Sequence, residues 1–160
     1  MMDITESLNQ PAPSLFCPIR KIWVADLPEE RVRQSLIEKM VQQLGFPQEN
    51  LAIEKGLSQL PHILPGSFLP KRRADIIVFA KNIHPSHLLY PLLLLECKSI
   101  PFGEKTIRQI IGYNHFVKAP FIAIANPIEE LLGCFHPPSK DFIFQKGLPS
   151  YFDLLERVLL

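Results

Sequence analysis

Two periods of apolar and polar residues run along this 160-residue chain and locate its elements. The clearest stretch is Leu92-Leu93-Leu94-Leu95-Glu96-Cys97-Lys98. Its short, wholly apolar run predicts a strand buried on both faces at the centre of a sheet. Alternation then puts Glu96 and Lys98 on one face and Cys97 on the other. Arg73 to Phe79 is rich in β-branched residues and predicts a neighbouring strand, with Arg73, Asp75, Ile77 and Phe79 on one face. Lys81 to Pro91 is the hairpin-like turn between them. Phe121 to Ala125 is uniformly apolar and predicts an interior strand parallel to the leucine strand. Shorter strands are expected at 20–25, 50–55 and 142–144, with Arg20 and Lys21 as ordinary edge charges. The stretch 128–135 carries no decisive signal.

Three helices follow from the longer period. Asp26-Leu27-Pro28-Glu29 reads as a capping box opening a helix in which Val32, Leu36, Met40, Val41 and Leu44 recur, ended by Gly45. Glu30, Arg33, Gln34 and Ile37 share an adjacent flank, and on this helix alone Glu30 and Arg33 read as a surface ion pair. Glu104 to Lys118 predicts a second helix with Ile107, Ile110, Ile111 and Val117 on its core stripe. Gln109 and Tyr113, four apart, share a different flank, and Tyr113 alone reads as half-buried with its hydroxyl in water. Ser150-Tyr151-Phe152-Asp153 reads as another capping box, leading a closing helix through Leu159. Residues 56–70 hold glycines and prolines and form a loop. The expected organisation is an irregular arm at 1–19 and one domain at 20–160.

Composition narrows the class. With 47% hydrophobic and 21% charged residues this is an ordinary globular chain. At this length one domain buries roughly 70% of the surface its unfolded chain exposes. The 16 prolines imply many stiff connections. The net charge of +1 rules out a molecule-wide basic footprint. Any nucleic-acid contact must rest on local positive charge, and Lys71-Arg72-Arg73, just before a buried strand, is the dense basic cluster. Cys17, Cys97 and Cys134 are odd in number and widely spaced, which argues against a disulfide framework or zinc knuckle and fits a reducing, cytoplasmic setting. No segment reads as a transmembrane helix or signal peptide, so no membrane partner is expected. His84 and His87 sit in a Pro/Ser turn without a carboxylate or cysteine at metal spacing and read as solvated.

The unusual residues are charged ones in apolar strands. An Asp early in such a strand is disfavoured by propensity, and Glu96 and Lys98 at the end of a central strand are costly to bury unpartnered. Core packing alone does not require Asp75, Glu96 and Lys98 together. Hard divalent cations take oxygen ligands. Asp75 and Glu96 supply carboxylates, the Cys97 backbone carbonyl a third oxygen, and Lys98 faces the same ion.

Arg73-Ala74-Asp75, Glu96-Cys97-Lys98 and Gln109-x-x-x-Tyr113 resemble the PD-(D/E)xK nuclease superfamily. The closer resemblance is to the N-terminal nuclease domain of type I restriction enzyme R subunits. There a P-E-E-x-V-R-Q helix, an R-A-D strand, an E-C-K strand, Q-x-x-x-Y-N and A-P-[FY] follow in order. Here these are Pro28 to Gln34, Arg73 to Asp75, Glu96 to Lys98, Gln109 to Asn114 and Ala119 to Phe121. The resemblance implies an α/β fold, a restriction-endonuclease-like core with a central mixed sheet flanked by helices. It implies a Mg²⁺-dependent nuclease, Mn²⁺ being an alternative ion, that hydrolyses DNA phosphodiester bonds by metal-activated water. Asp75 and Glu96 would bind the metal, Lys98 would be catalytic and Glu30 would support the site. Gln109, Tyr113, Arg73 and Arg33 would meet substrate. Ala125-Asn126-Pro127 departs from the family's T-N-G. No G-x-x-x-x-G-K-[ST] phosphate loop is present, so a stand-alone domain without a motor is expected, acting alone, as a homodimer or with a protein partner. A different class of function, a catalytically silent nucleic-acid-binding or assembly module on the same fold, stands beside the nuclease.

Overall fold

The computed structural model describes residues 12–159. In chain order its elements are β1 (Ser14–Cys17), β2 (Ile22–Ala25), α1 (Pro28–Gln42), β3 (Leu51–Gly56), β4 (Arg73–His84), β5 (His87–Cys97), α2 (Glu104–Val117), β6 (Phe121–Ala125), β7 (Glu130–His136), β8 (Asp141–Lys146) and α3 (Tyr151–Leu159). Strands β3 to β8 form one six-stranded sheet in sequence order, and β1 and β2 pair only with each other. β5 and β6 are parallel, as expected for strands joined through a helix, and the other neighbours are antiparallel.

The sheet is covered on both faces, which is why its central strands read as continuous apolar runs. Val32, Leu36, Ile37 and Met40 of α1 and Leu154 of α3 pack with Ile76, Val78, Leu93, Leu95 and Cys97. Ile110, Tyr113 and Val117 of α2 pack with Ile77, Phe79, Leu94, Ile122 and Ile124 on the other face. This three-layer α/β arrangement is a restriction-endonuclease-like core. Val78 pairs with Leu93 but Phe79 with Pro91, so Leu92 is an extra residue, a bulge that bends β5. All four leucines are at most 1% exposed, as their sequence predicts.

Several local expectations change. The described part of the N-terminal arm contains β1, paired with β2; residues 1–11 of the arm lie outside the described residues. The capping box at Asp26 does not form. Leu27 is the cap position, and the Asp26 carboxylate instead takes the Arg31 guanidinium, Nη2 to Oδ2 at 2.8 Å. At α3 the expectation holds, with Ser150 Oγ accepting the Asp153 N–H at 3.1 Å. The unassigned stretch is mostly β7. Asn126 Oδ1 accepts the N–H groups of Ile128 and Glu129 at 2.8 and 2.9 Å, folding the chain back at once after β6. Gly133 hides the strand signal, since glycine weakens a strand unless another group must come close. Here a Cβ would lie 2.8 Å from both Ile122 Cγ1 and the Phe144 ring.

Gly133→Val should therefore destabilise the fold by about 1–3 kcal/mol through overpacking. A urea denaturation curve checks this, and an unchanged midpoint would contradict the packing described.

Candidate active site

The β4–β5 ladder brings the two carboxylates together at the end of the sheet. Ile76 pairs with Leu95, so Asp75 and Glu96 follow side by side where the ladder stops. There the Asp75 side chain replaces the missing backbone partner: Oδ2 accepts the Cys97 N–H at 2.8 Å. The Cys97 thiol points into the α1-side core, away from Glu96 as alternation requires, and burial raises its pKa well above the ordinary value. Alternation fails at the start of β4. Ala74 packs in the α2-side core with Ile77, whereas Asp75 bonds to Arg33 of α1. Opposite it, Glu54 has φ +53° and interrupts β3–β4 pairing. Such a conformation costs roughly 1 kcal/mol in a non-glycine residue.

One arginine holds each carboxylate, and they come from opposite faces of the sheet. Arg33 Nη2 donates to Asp75 Oδ1 at 2.7 Å, and its Nη1 to Glu30 at 2.6 Å and Glu54 at 3.2 Å. Arg72 Nη2 donates to Glu96 Oε1 at 3.1 Å, with its guanidinium 5.2 Å above the Tyr113 ring. Tyr113 in turn donates its hydroxyl to the Arg72 carbonyl at 3.0 Å. Arg20, from the β1–β2 turn, bonds to Glu30 at 2.6 Å and Glu54 at 3.1 Å.

These placements correct several readings. Glu30 and Arg33 are not a surface pair: they are 9% and 5% exposed. Arg33 has both terminal nitrogens on carboxylates and sets the direction of Asp75. Glu30 carries Arg20, Arg33 and Gln34 on its oxygens and acts on Asp75 through Arg33. Arg20 is not an edge charge. Tyr113 is 4% exposed and its hydroxyl is bonded to main chain, not water. Burial, opposed by Arg72 and helped by Glu96, pushes its pKa up to about 12. Lys98 is half-buried next to Glu96, where its charge favours the ionised carboxylate. Gln109 and Arg73 are exposed, Gln109 one turn before Tyr113 and Arg73 at the start of β4.

Sequence reasoning missed Arg72, Arg20 and Glu54 as members of this site. Only Arg72 had a signal, the density of Lys71-Arg72-Arg73. Asn114 and Ala119, seen in sequence as parts of separate motif blocks, bond to each other. The Asn114 amide accepts the Ala119 N–H at 3.0 Å and donates to its carbonyl at 2.9 Å, closing the turn from α2 into β6.

The donor set suits a hard cation. Glu96 is 5% exposed. Burial first, then the Asp75 charge and a hydrogen bond between the two carboxyl groups, pushes its pKa up to about 8, against the pull of Arg72 and Lys98. A divalent ion would relieve that repulsion. Among the described residues no group of three or more His, Cys, Asp or Glu side chains is gathered to hold a metal, at His84 and His87 or elsewhere. Two carboxylates nevertheless match the pattern of Mg²⁺, which keeps waters and substrate oxygens as its remaining ligands.

The family model of the type I restriction enzyme R protein N terminus matches residues 28–149. The chain belongs to that family. No curated protein and no solved structure matches it. No helix among the described residues is long and apolar enough to cross a membrane.

Two outcomes follow. Arg33→Leu leaves buried carboxylates uncompensated and should cost about 3–5 kcal/mol of stability, read by chemical denaturation; a loss within error of zero would contradict the buried network. Glu96 has the opposite effect on pH dependence from a salt-bridged acid. Unfolded, it loses its proton near the ordinary carboxyl value of 4.5; folded, it keeps it to about 8. The folded state binds the extra proton between those values, so this contribution to stability falls as pH rises through that window and levels off above it. Glu96→Gln should remove that slope, raising Tm by several degrees relative to the parent at the top of the window and by nothing at its acid end. Parallel melting curves for the two proteins across pH would contradict it.

Proposed function

We propose that the domain is a divalent-metal-dependent nuclease that hydrolyses DNA phosphodiester bonds. The observation that carries this reading is the pairing of Asp75 with Glu96 beside Lys98, at the end of a central strand. Two mutually repelling carboxylates held there by bonds from both faces are an unfavourable way to finish a sheet unless a cation uses them. Membership in a restriction-enzyme family supports the same chemistry.

In this reading Asp75 and Glu96 hold Mg²⁺ or Mn²⁺, with the Cys97 carbonyl as a third oxygen. The ion, when bound, supplies Lewis acidity and a nucleophile near neutral pH. Arg33 fixes the direction of the Asp75 carboxylate, with Glu30 and Glu54 fixing Arg33. Lys98 sets its ammonium beside the reacting phosphate and stabilises charge that develops there. Tyr113 holds the Arg72 main chain, and Arg72, Arg73 and Gln109 meet the phosphate backbone. Glu96 must lose its proton to take a metal, so metal occupancy should rise with pH through the neutral range.

A second reading, a catalytically silent DNA-binding or assembly module, is favoured by one specific observation. Both carboxylates already carry guanidinium partners, at 2.7 Å on Asp75 and 3.1 Å on Glu96. Cleavage of single- and double-stranded DNA with Mg²⁺ or Mn²⁺ separates the two. The nuclease reading expects cleavage by the parent and a loss of about 100-fold or more in Asp75→Asn and Lys98→Ala, with melting curves showing both folded. Equal rates in parent and variants, or none in any, would overturn it.

A further inference from the structure

The far end of the β4–β5 hairpin carries a second constellation that the carboxylate site does not use. His84 lies flat on Tyr90, with ring centroids 4.4 Å apart and planes 19° from parallel. His87 and His62 stand against them, at 4.9 Å from His84 and 5.0 Å from Tyr90 respectively. His62 donates from Nε2 to the Val117 carbonyl at 2.7 Å, tying the loop before β4 to the end of α2. Tyr90 donates its hydroxyl to the Lys118 carbonyl at 3.1 Å. These groups, with Phe68, line a cavity of about 440 Å³. Phe68 is 100% exposed, an aromatic ring held wholly in solvent at the cavity edge.

A second cavity, of about 480 Å³, adjoins the first. Ser67 and Leu69 line both, and Lys71, Arg72 and Arg73 line the second. Through Arg72 this second cavity reaches Glu96. Neither lining contains an Asp or Glu, although the chain has 16 of them. A face that is locally cationic next to carboxylates, and aromatic farther away, joins the two features of single-strand binding: phosphate contacts and platforms for bases.

We propose that this face binds single-stranded nucleic acid, its bases stacking in the His84–Tyr90–Phe68 cavity and its phosphates running over Lys71, Arg72 and Arg73 toward Asp75 and Glu96. The inference rests on the nuclease reading only for the direction of the strand toward the carboxylates. Glu96 lies nine residue steps along β5 from His87, roughly 30 Å at the rise of a β-strand, so the bound strand spans several nucleotides. Aromatic platforms act on unstacked bases, whose faces a duplex conceals. The near-neutral net charge also denies the molecule the broad phosphate footprint that duplex binding requires.

The test is fluorescence anisotropy with a labelled oligothymidylate and with a duplex, in EDTA so that cleavage does not intervene. The parent should bind the single strand more tightly than the duplex. Phe68→Ala removes a ring that packs on nothing, so it folds as the parent does. It should weaken single-strand binding about 5- to 100-fold, the range for losing a base–aromatic stack. Tyr90→Leu should do the same. Parent-like affinity in Phe68→Ala, or a parent that prefers duplex, would overturn the proposal. Failure of the nuclease reading looks different: stacking variants would lose binding while no protein cleaves. Failure of this inference alone would show cleavage with single-strand affinity unmoved by Phe68→Ala.

Discussion

The bond from Arg33 to Asp75 is the constraint on which the rest of the site depends. A guanidinium buried beneath a helix is costly unless it is paired, and Arg33 is paired three times, with Asp75, Glu30 and Glu54. Burial works against its charge, but the attraction to Asp75 and the other two carboxylates outweighs it and raises its pKa. The bond ties α1 to the end of β4 and sets the direction of the Asp75 carboxylate. Asp75 then accepts from the Cys97 main chain, which fixes where β5 delivers Glu96. The network joins three guanidinium groups, of Arg20, Arg33 and Arg72, to four carboxyl groups, of Glu30, Glu54, Asp75 and Glu96. Its charges balance when Glu96 keeps its proton, and this is the state that burial favours. A cation at the carboxylate pair would shift that balance and let Glu96 ionise.

Much of this was legible in the sequence. The leucine run predicted a doubly buried strand, and Leu92 to Leu95 are buried on both sides of the sheet. The parallel β5–β6 pair, the helix between them and the closing α3 with its Ser150 cap follow from period and turn chemistry. The order of the motif blocks identified the family. The partners of charged residues were not legible. Helical spacing shows that Glu30 and Arg33 are neighbours, but not that Asp75 and Glu54 will arrive from other strands to bury them. Glu54 gave no signal, because a left-handed φ in a non-glycine strand residue is set by tertiary contacts. β7 was missed because Gly133, a poor strand residue, is required by Ile122 and Phe144 packing across it.

The hairpin of β4 and β5 therefore serves two ends. At one, the ladder stops and delivers two carboxylates and a lysine. At the other, its turn gathers histidines and a tyrosine against the loop that leads into β4. That same loop carries Lys71, Arg72 and Arg73 back to the first end. A near-neutral chain thus concentrates cationic and aromatic groups along one path, the path on which the proposed single-strand binding rests.

Calorimetric titration of Mg²⁺ and Mn²⁺ into the parent protein and into Asp75→Asn tests the central claim most directly. The account predicts saturable binding by the parent, with proton release as Glu96 ionises, and loss of that binding in the variant. Binding that survives intact in Asp75→Asn, or no binding by the parent at any pH up to 8 or beyond, would contradict it.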